Sequence, residues 1–156
     1  MNLRLRAATP DDHTLLSKLN RLAYEGVVTR QFGIWDERAQ RERFASKLQR
    51  AAFQTVELAG CPIAAVWSSE DDDHVYLHEL LVLPEFQNRG VGSWVLHGEL
   101  ARARAAGKPM RLHTLLPNRA QELYKRHGFV ETGRSDVYVD MDWTSVSLPP
   151  PSGDEG

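Results

Sequence analysis

The residues whose spacing most directly suggests chemistry lie between Tyr76 and Trp94, in YLHELLVLPEFQNRGVGSW. A branched apolar run from Leu77 to Leu83 stops at Pro84, and Gln87-Asn88-Arg89-Gly90-Val91-Gly92 then opens an amphipathic helical pattern. Main-chain amides at a helix start lack intrahelical acceptors and stand at the positive end of the helix dipole, so they suit an anion, a phosphate above all. Gly90 and Gly92 are expected to remove the Cβ atoms that would hold such a ligand away. The segment lacks the Lys-Ser/Thr ending of a nucleoside-triphosphate loop and the three-glycine dinucleotide fingerprint. On these residues alone, a plain strand-to-helix turn stays as the alternative.

The elements that must position this stretch can be traced along the chain. Leu3 and Leu5 alternate with Arg4 and Arg6, the period of a half-buried strand. Thr9-Pro10-Asp11-Asp12 supplies a helix start, and Leu15, Leu16, Leu19, Leu22 and Ala23 share one face of a helix expected to end near Gly26. Val27 to Asp36 has no helical stripe and is read as a loop with exposed aromatics. Asp36 can cap a second helix, whose inner face is Phe44, Leu48 and Ala51. Strands follow at 53–58 and 63–67, joined by a turn at Gly60-Cys61-Pro62, and Glu70-Asp71-Asp72-Asp73 reads as a solvated turn. The strand at 75–83 feeds the glycine segment and a helix from about Gly90 to Ala106, closed by Gly107. Met110 to Leu115 is a strand, Pro117-Asn118 starts a helix stopped by Gly128, and Phe129 to Val139 is a strand pair or one strand bent at Gly133. This order predicts an α/β chain, a mixed sheet with helices on both faces.

With 156 residues, 42% of them hydrophobic and 26% charged, the chain suits one domain with its own core. A net charge of -2 offers no field to gather nucleic acid. The single cysteine, Cys61, cannot form an internal disulfide, and no Cys/His cluster offers a metal site. No window approaches a membrane span and the N-terminus lacks an apolar leader, so no membrane contact and a cytoplasmic location are expected. The Pro-, Ser- and acid-rich tail over 144–156 is expected to lack fixed structure.

Two motifs sharpen the reading. Leu80-Leu81-Val82-Leu83-Pro84 followed by Gln87-Asn88-Arg89-Gly90-Val91-Gly92, and Asn118 followed by Leu123-Tyr124-Lys125-Arg126-His127-Gly128-Phe129, stand in one order. Together they resemble the signature of the GNAT superfamily of acyl-CoA-dependent N-acyltransferases, and the resemblance spans 1–143. It implies a central splayed mixed sheet and acetyl-CoA as cosubstrate, with no metal. The reaction it implies is direct transfer of acetyl to a primary amine in a ternary complex. The coenzyme A pyrophosphate would rest on the amides from Arg89 to Ser93, within a loop formed by Gln87, Asn88, Arg89, Gly90, Val91 and Gly92. Pantetheine would follow the main chain of Leu81, Val82 and Leu83, and Asn118 and Tyr124 would also touch the cofactor.

The same resemblance distributes the catalytic roles. An alkylammonium has a pKa near about 10.4, so its proton must be taken before it can attack a thioester. Glu79 matches the acidic position that many members use for this, directly or through water. His78 matches a base histidine of the arylalkylamine branch, whose other base histidine aligns with Tyr76. Strand alternation would put His78 and Glu79 on opposite faces, so only one is expected to face the acceptor. Tyr124 is the expected general acid for the leaving thiol, and packing against Leu123 and Phe129 is its structural alternative. Tyr24, Phe32, Trp35, Asp36 and Glu79 are expected to hold a cationic or aromatic amine, small or part of a peptide or protein. His127 is expected to cover a helix end. Tyr138, Met141 and Trp143 offer an apolar edge for a homodimer. A coenzyme A-binding regulatory module without turnover is the rival to an enzyme.

Overall fold

A computed structural model of the chain describes residues 1–144. The expected tail over 144–156 therefore lies, from 145 on, outside the described residues. Seven strands form one sheet in the order β1-β2-β3-β4-β5-β7-β6. They are β1 (Leu3–Ala7), β2 (Gln54–Leu58), β3 (Cys61–Glu70), β4 (Val75–Val82), β5 (Met110–Leu115), β6 (Val130–Arg134) and β7 (Tyr138–Trp143). Every neighbouring pair is antiparallel except β4 and β5, which run parallel. The helices are α1 (His13–Phe32), α2 (Glu37–Leu48), α3 (Val91–Ala106) and α4 (Ala120–Arg126).

Two apolar clusters hold these layers together. On one face Leu16 and Leu19 of α1 and Phe44 of α2 pack on Phe53, Ala65 and Leu81. On the other, Val91, Val95, Leu96, Leu100 and Ala103 of α3 meet Val75, Leu77, Met110, Leu112, Val139 and Met141, with Tyr124 and Phe129 closing the end. The mixed sheet with helices on both faces expected from the sequence is thus the observed one.

Several local expectations need correction. Helix α1 does not stop near Gly26 but runs to Phe32, where Gly33 ends it at φ 85°. A mid-helix glycine costs only about 1 kcal/mol relative to alanine, and burial of Val27 and Val28 just beyond it offsets that cost. Most of the expected aromatic loop is therefore helix. In β1, Leu5 is exposed, and Arg6 is instead the tethered residue, bonded to Asp12 and Glu57. The final strand region is a β6–β7 hairpin with an irregularity between Glu131 and Gly133. Met141 and Trp143 are core residues, so of the three expected at a dimer edge only Tyr138 is presented to solvent.

Two features of β4 position the site. Trp67 pairs with Glu79 and Ser68 with Leu77, leaving His78 as an extra residue, a bulge. In addition, β4 pairs with β5 only at Val75–Met110 and Tyr76–Arg111. Beyond Tyr76 the two parallel strands part, and the remaining edge of β4 is left unpaired.

Candidate active site

The unpaired edge of β4 is where an extended ligand can add main-chain hydrogen bonds. The Leu83 amide donates to the Ile63 carbonyl at 3.0 Å, across β3. Alternation along an antiparallel pair then turns the amides and carbonyls of Leu81 and Leu83 toward β3, and those of Leu80 and Val82 toward the open side. Leu81 and Leu83, expected to serve pantetheine through their main chain, thus face β3 instead, and Val82 faces the open side. Its carbonyl accepts from the Gln87 side chain at 3.0 Å, which ties the loop to the strand end.

The loop after β4 ends in a turn with two left-handed residues, Asn88 at φ 60° and Gly90 at φ 89°. Among the described residues, no main-chain amide from Asn88 to Ser93 has an acceptor, and α3 begins with no side-chain cap. That unsatisfied run at a helix N-terminus fits a diphosphate well. Arg89 folds back, donating to the Glu85 carbonyl at 3.3 Å with its guanidinium over Phe86. The glycines divide their work differently from expectation. Gly90 is needed for its backbone conformation, and a Cβ there would meet open space, whereas a Cβ at Gly92 would come within 3.0 Å of Leu123. Gly92 therefore serves α3–α4 packing.

On β4 itself, Glu79 is held by two helices. One carboxylate oxygen accepts from the Tyr24 hydroxyl of α1 at 2.9 Å, and the other pairs with Lys47 Nζ of α2. Lys47 was missed in the sequence, although its place three residues after Phe44 sets it on the inward stripe of α2. The bulge gives His78 and Glu79 the same face, against the expectation of opposite faces. The His78 ring stacks on Trp67 with centroids 4.0 Å apart, and Trp67 belongs to the cluster beneath α1 and α2. Its Nε2 lies 2.6 Å from the Ser69 hydroxyl. Burial pushes the His78 pKa below the usual imidazole value, despite the opposing pull of Glu79.

Tyr124 comes from α4 on the other side of the gap. Its ring is buried against Phe129, centroids 5.6 Å apart, so the packing role holds. Its hydroxyl has no hydrogen-bond partner among the described residues, yet no sealed side-chain oxygen there lacks one. The hydroxyl is therefore not sealed from solvent. Burial, then the charge of Glu79, raise the Tyr124 phenol pKa, and the same two causes lead for Tyr24. Both phenols stay protonated at neutral pH.

Asn118 accepts from the Ala120 amide at 2.9 Å and donates to Thr114 at 2.8 Å, so it caps α4 as expected. His127 contacts the Leu123 carbonyl at 3.0 Å and covers that helix end. The expected acceptor residues divide. Tyr24 and Glu79 meet. Trp35 donates to Glu37 and lines a groove between α1 and α2 with His13 and Arg21, Asp36 caps α2 through the Ala39 amide, and Phe32 is exposed at the end of α1. The acidic turn is a tethered turn, in which Asp71 accepts the amides of Asp73 and His74.

The sequence matches the family model described as "Acetyltransferase (GNAT) family" over residues 17–129. The chain belongs to the GNAT acetyltransferase family. No protein of curated function matches it significantly. Solved structures of the GNAT fold superpose over nearly the whole chain at low identity. The PaiA N-acetyltransferase of Thermoplasma acidophilum, solved with coenzyme A, has a TM-score of 0.75 at 16% identity, covering 92% of this chain and 99% of its own. An acetyltransferase from Thermus thermophilus gives 0.72 at 17%, with coverage of 92% and 97%. The ribosomal-protein-S18-alanine N-acetyltransferase of Escherichia coli gives 0.69 at 18%, covering 96% and 97%. At such identities the GNAT likeness concerns the fold.

Proposed function

We propose that the protein is an acetyl-CoA-dependent N-acetyltransferase that acylates a primary amine by direct attack in a ternary complex. The observation that carries this reading is a carboxylate on the open-edged strand β4, held by Tyr24 and Lys47, whose charge acts on the protonated phenol of Tyr124. Acetyl-CoA, when bound, supplies the activated acetyl group. The free amides from Asn88 to Ser93 would hold its diphosphate, and the open main chain of Leu80 and Val82 its pantetheine arm.

The chain's own residues account for the protons. Glu79 receives the acceptor's ammonium proton, directly or through a water. His78, neutral at physiological pH, has one ring nitrogen taken up by Ser69 and its face covered by Trp67, which favours Glu79 as the base. Tyr124 donates a hydrogen bond to the departing sulphur. A phenol, at about 10 or above, holds its proton more tightly than a thiol at about 8.5. Proton delivery from Tyr124 is therefore coupled to its reprotonation by the proton that Glu79 has taken from the amine.

A screen of acetyl-CoA-dependent thiol release over polyamines, amino acids and N-terminal peptides tests the reading. Turnover with at least one amine is expected. Saturable coenzyme A binding with no thiol release from any amine would favour the regulatory module instead.

A further inference from the structure

Lys47 has the chemistry of an acceptor, and it pairs with the carboxylate proposed above to serve one. Its Nζ, a primary amine on a flexible aliphatic stem, pairs with Glu79, the carboxylate assigned above to take the acceptor's proton. The side chain is largely covered, with 23% of it exposed, and the stem passes Phe44 with Nζ 5.9 Å from the ring centroid. Tyr24 closes the other carboxylate oxygen. Tyr124 is near enough for the Glu79 charge to act on its phenol. An incoming ammonium would meet a carboxylate already neutralised, and a second cation beside Lys47 would be repelled. The native arrangement thus sets a primary amine directly on the carboxylate proposed as the base.

We infer that Lys47 is an internal acceptor, acetylated by the protein's own site, and that this modification opens Glu79 to external amines. The inference rests on the function proposed above. The Lys47 ammonium gives one proton to Glu79, and the freed Nζ lone pair forms a C–N bond to the acetyl carbon of acetyl-CoA. The C–S bond breaks, and its electron pair leaves on sulphur, which takes the Tyr124 proton. Tyr124 is reprotonated from Glu79, and the second ammonium proton is lost to solvent. The products are acetyl-Lys47, the coenzyme A thiol and one proton. The amide carries no charge, so the ion pair is lost and Glu79 keeps only its bond from Tyr24. An external ammonium then finds an unneutralised carboxylate.

The test incubates the full chain with acetyl-CoA and locates acetyl groups by peptide mass mapping, alongside thiol release with the amine panel. Expected is stoichiometric acetylation of Lys47, with a rate constant unchanged by diluting the protein and about 100-fold lower in Tyr124→Phe, the loss typical of a removed acid–base group. A lag in amine turnover that pre-acetylation removes is also expected, as is its absence in Lys47→Gln. Amine turnover with Lys47 unmodified would overturn the inference and leave the proposed function standing. Neither turnover nor modification would remove both. Acetylation of Lys47 at the same rate in Tyr124→Phe, Glu79→Gln and the denatured chain would show random chemical acylation and overturn it too.

Discussion

At the scale of single residues, the site is a contest for one carboxylate. Glu79 has both oxygens engaged, by a phenol and an ammonium, and the bulge at His78 sets a neutral imidazole beside it on the same face. The two candidates separate by rate. Glu79→Gln is expected to lower kcat/KM by about 100-fold at neutral pH, whereas His78→Gln should stay within about 10-fold. The pH profile gives the sign. A base works only when deprotonated, so activity through His78 would be lost as pH falls through its native pKa, which burial sets below the ordinary value of about 6.5. Persistence of the acid limb in His78→Gln is expected; its disappearance would move the role to His78. The motifs single out Glu79 and Tyr124 as candidates, and their positions on β4 and α4 follow from the periodicity around them. The grip of Lys47 does not, because it depends on where α2 crosses the sheet.

At the scale of elements, much was legible because periodicity and punctuation agree. Asp36 caps α2, Gly107 ends α3, and the order of strands and helices follows from alternating apolar patterns. Less legible was whatever depends on tertiary partners. Helix α1 passes its internal glycine because the residues beyond it are buried, and the β4 bulge is marked in the sequence only by two adjacent polar residues, His78 and Glu79. Which edge of β4 is open depends on register, so Leu80 and Val82, not Leu81 and Leu83, turn their main chain to the open side. The two glycines of the loop give a prediction at this scale. Gly92→Leu drives a side chain into Leu123 and should cost about 2 kcal/mol of stability. Gly90→Ala meets no atom but must hold φ near 89°, a cost of about 1–2 kcal/mol. Its relief by reshaping the turn should weaken coenzyme A binding at least as much as stability. Thermal melts with and without coenzyme A check both; unchanged coenzyme A stabilisation in Gly90→Ala would count against the amide cradle.

At the scale of the molecule, two helical layers meet at a sheet that is closed on the β3 side of β4 and open on the β5 side. The open side of β4 is thus flanked by α3 and α4 on one face and by α1 and α2 on the other. The first strand is tied to this body by Arg6, which bonds Asp12 at 2.9 Å and Glu57 at 2.7 Å. Hydrogen bonds from Arg6 and the Thr9 amide hold the Asp12 carboxyl well below the usual carboxylate range. Asp12 therefore contributes stability above the unfolded value of about 3.9, and that contribution fades as pH falls through its native pKa. Asp12→Asn should lower the melting temperature at pH 7 and flatten the acid side of the stability profile. The central claim is that this gap joins a proton-accepting carboxylate to a proton-donating phenol for acetyl transfer. Its most direct test is single-turnover thiol release from acetyl-CoA, with the best amine of the screen, in the wild type and in Tyr124→Phe. A rate lowered by about 100-fold with coenzyme A affinity and melting temperature little changed is the expected result. Equal rates in the two proteins would contradict it.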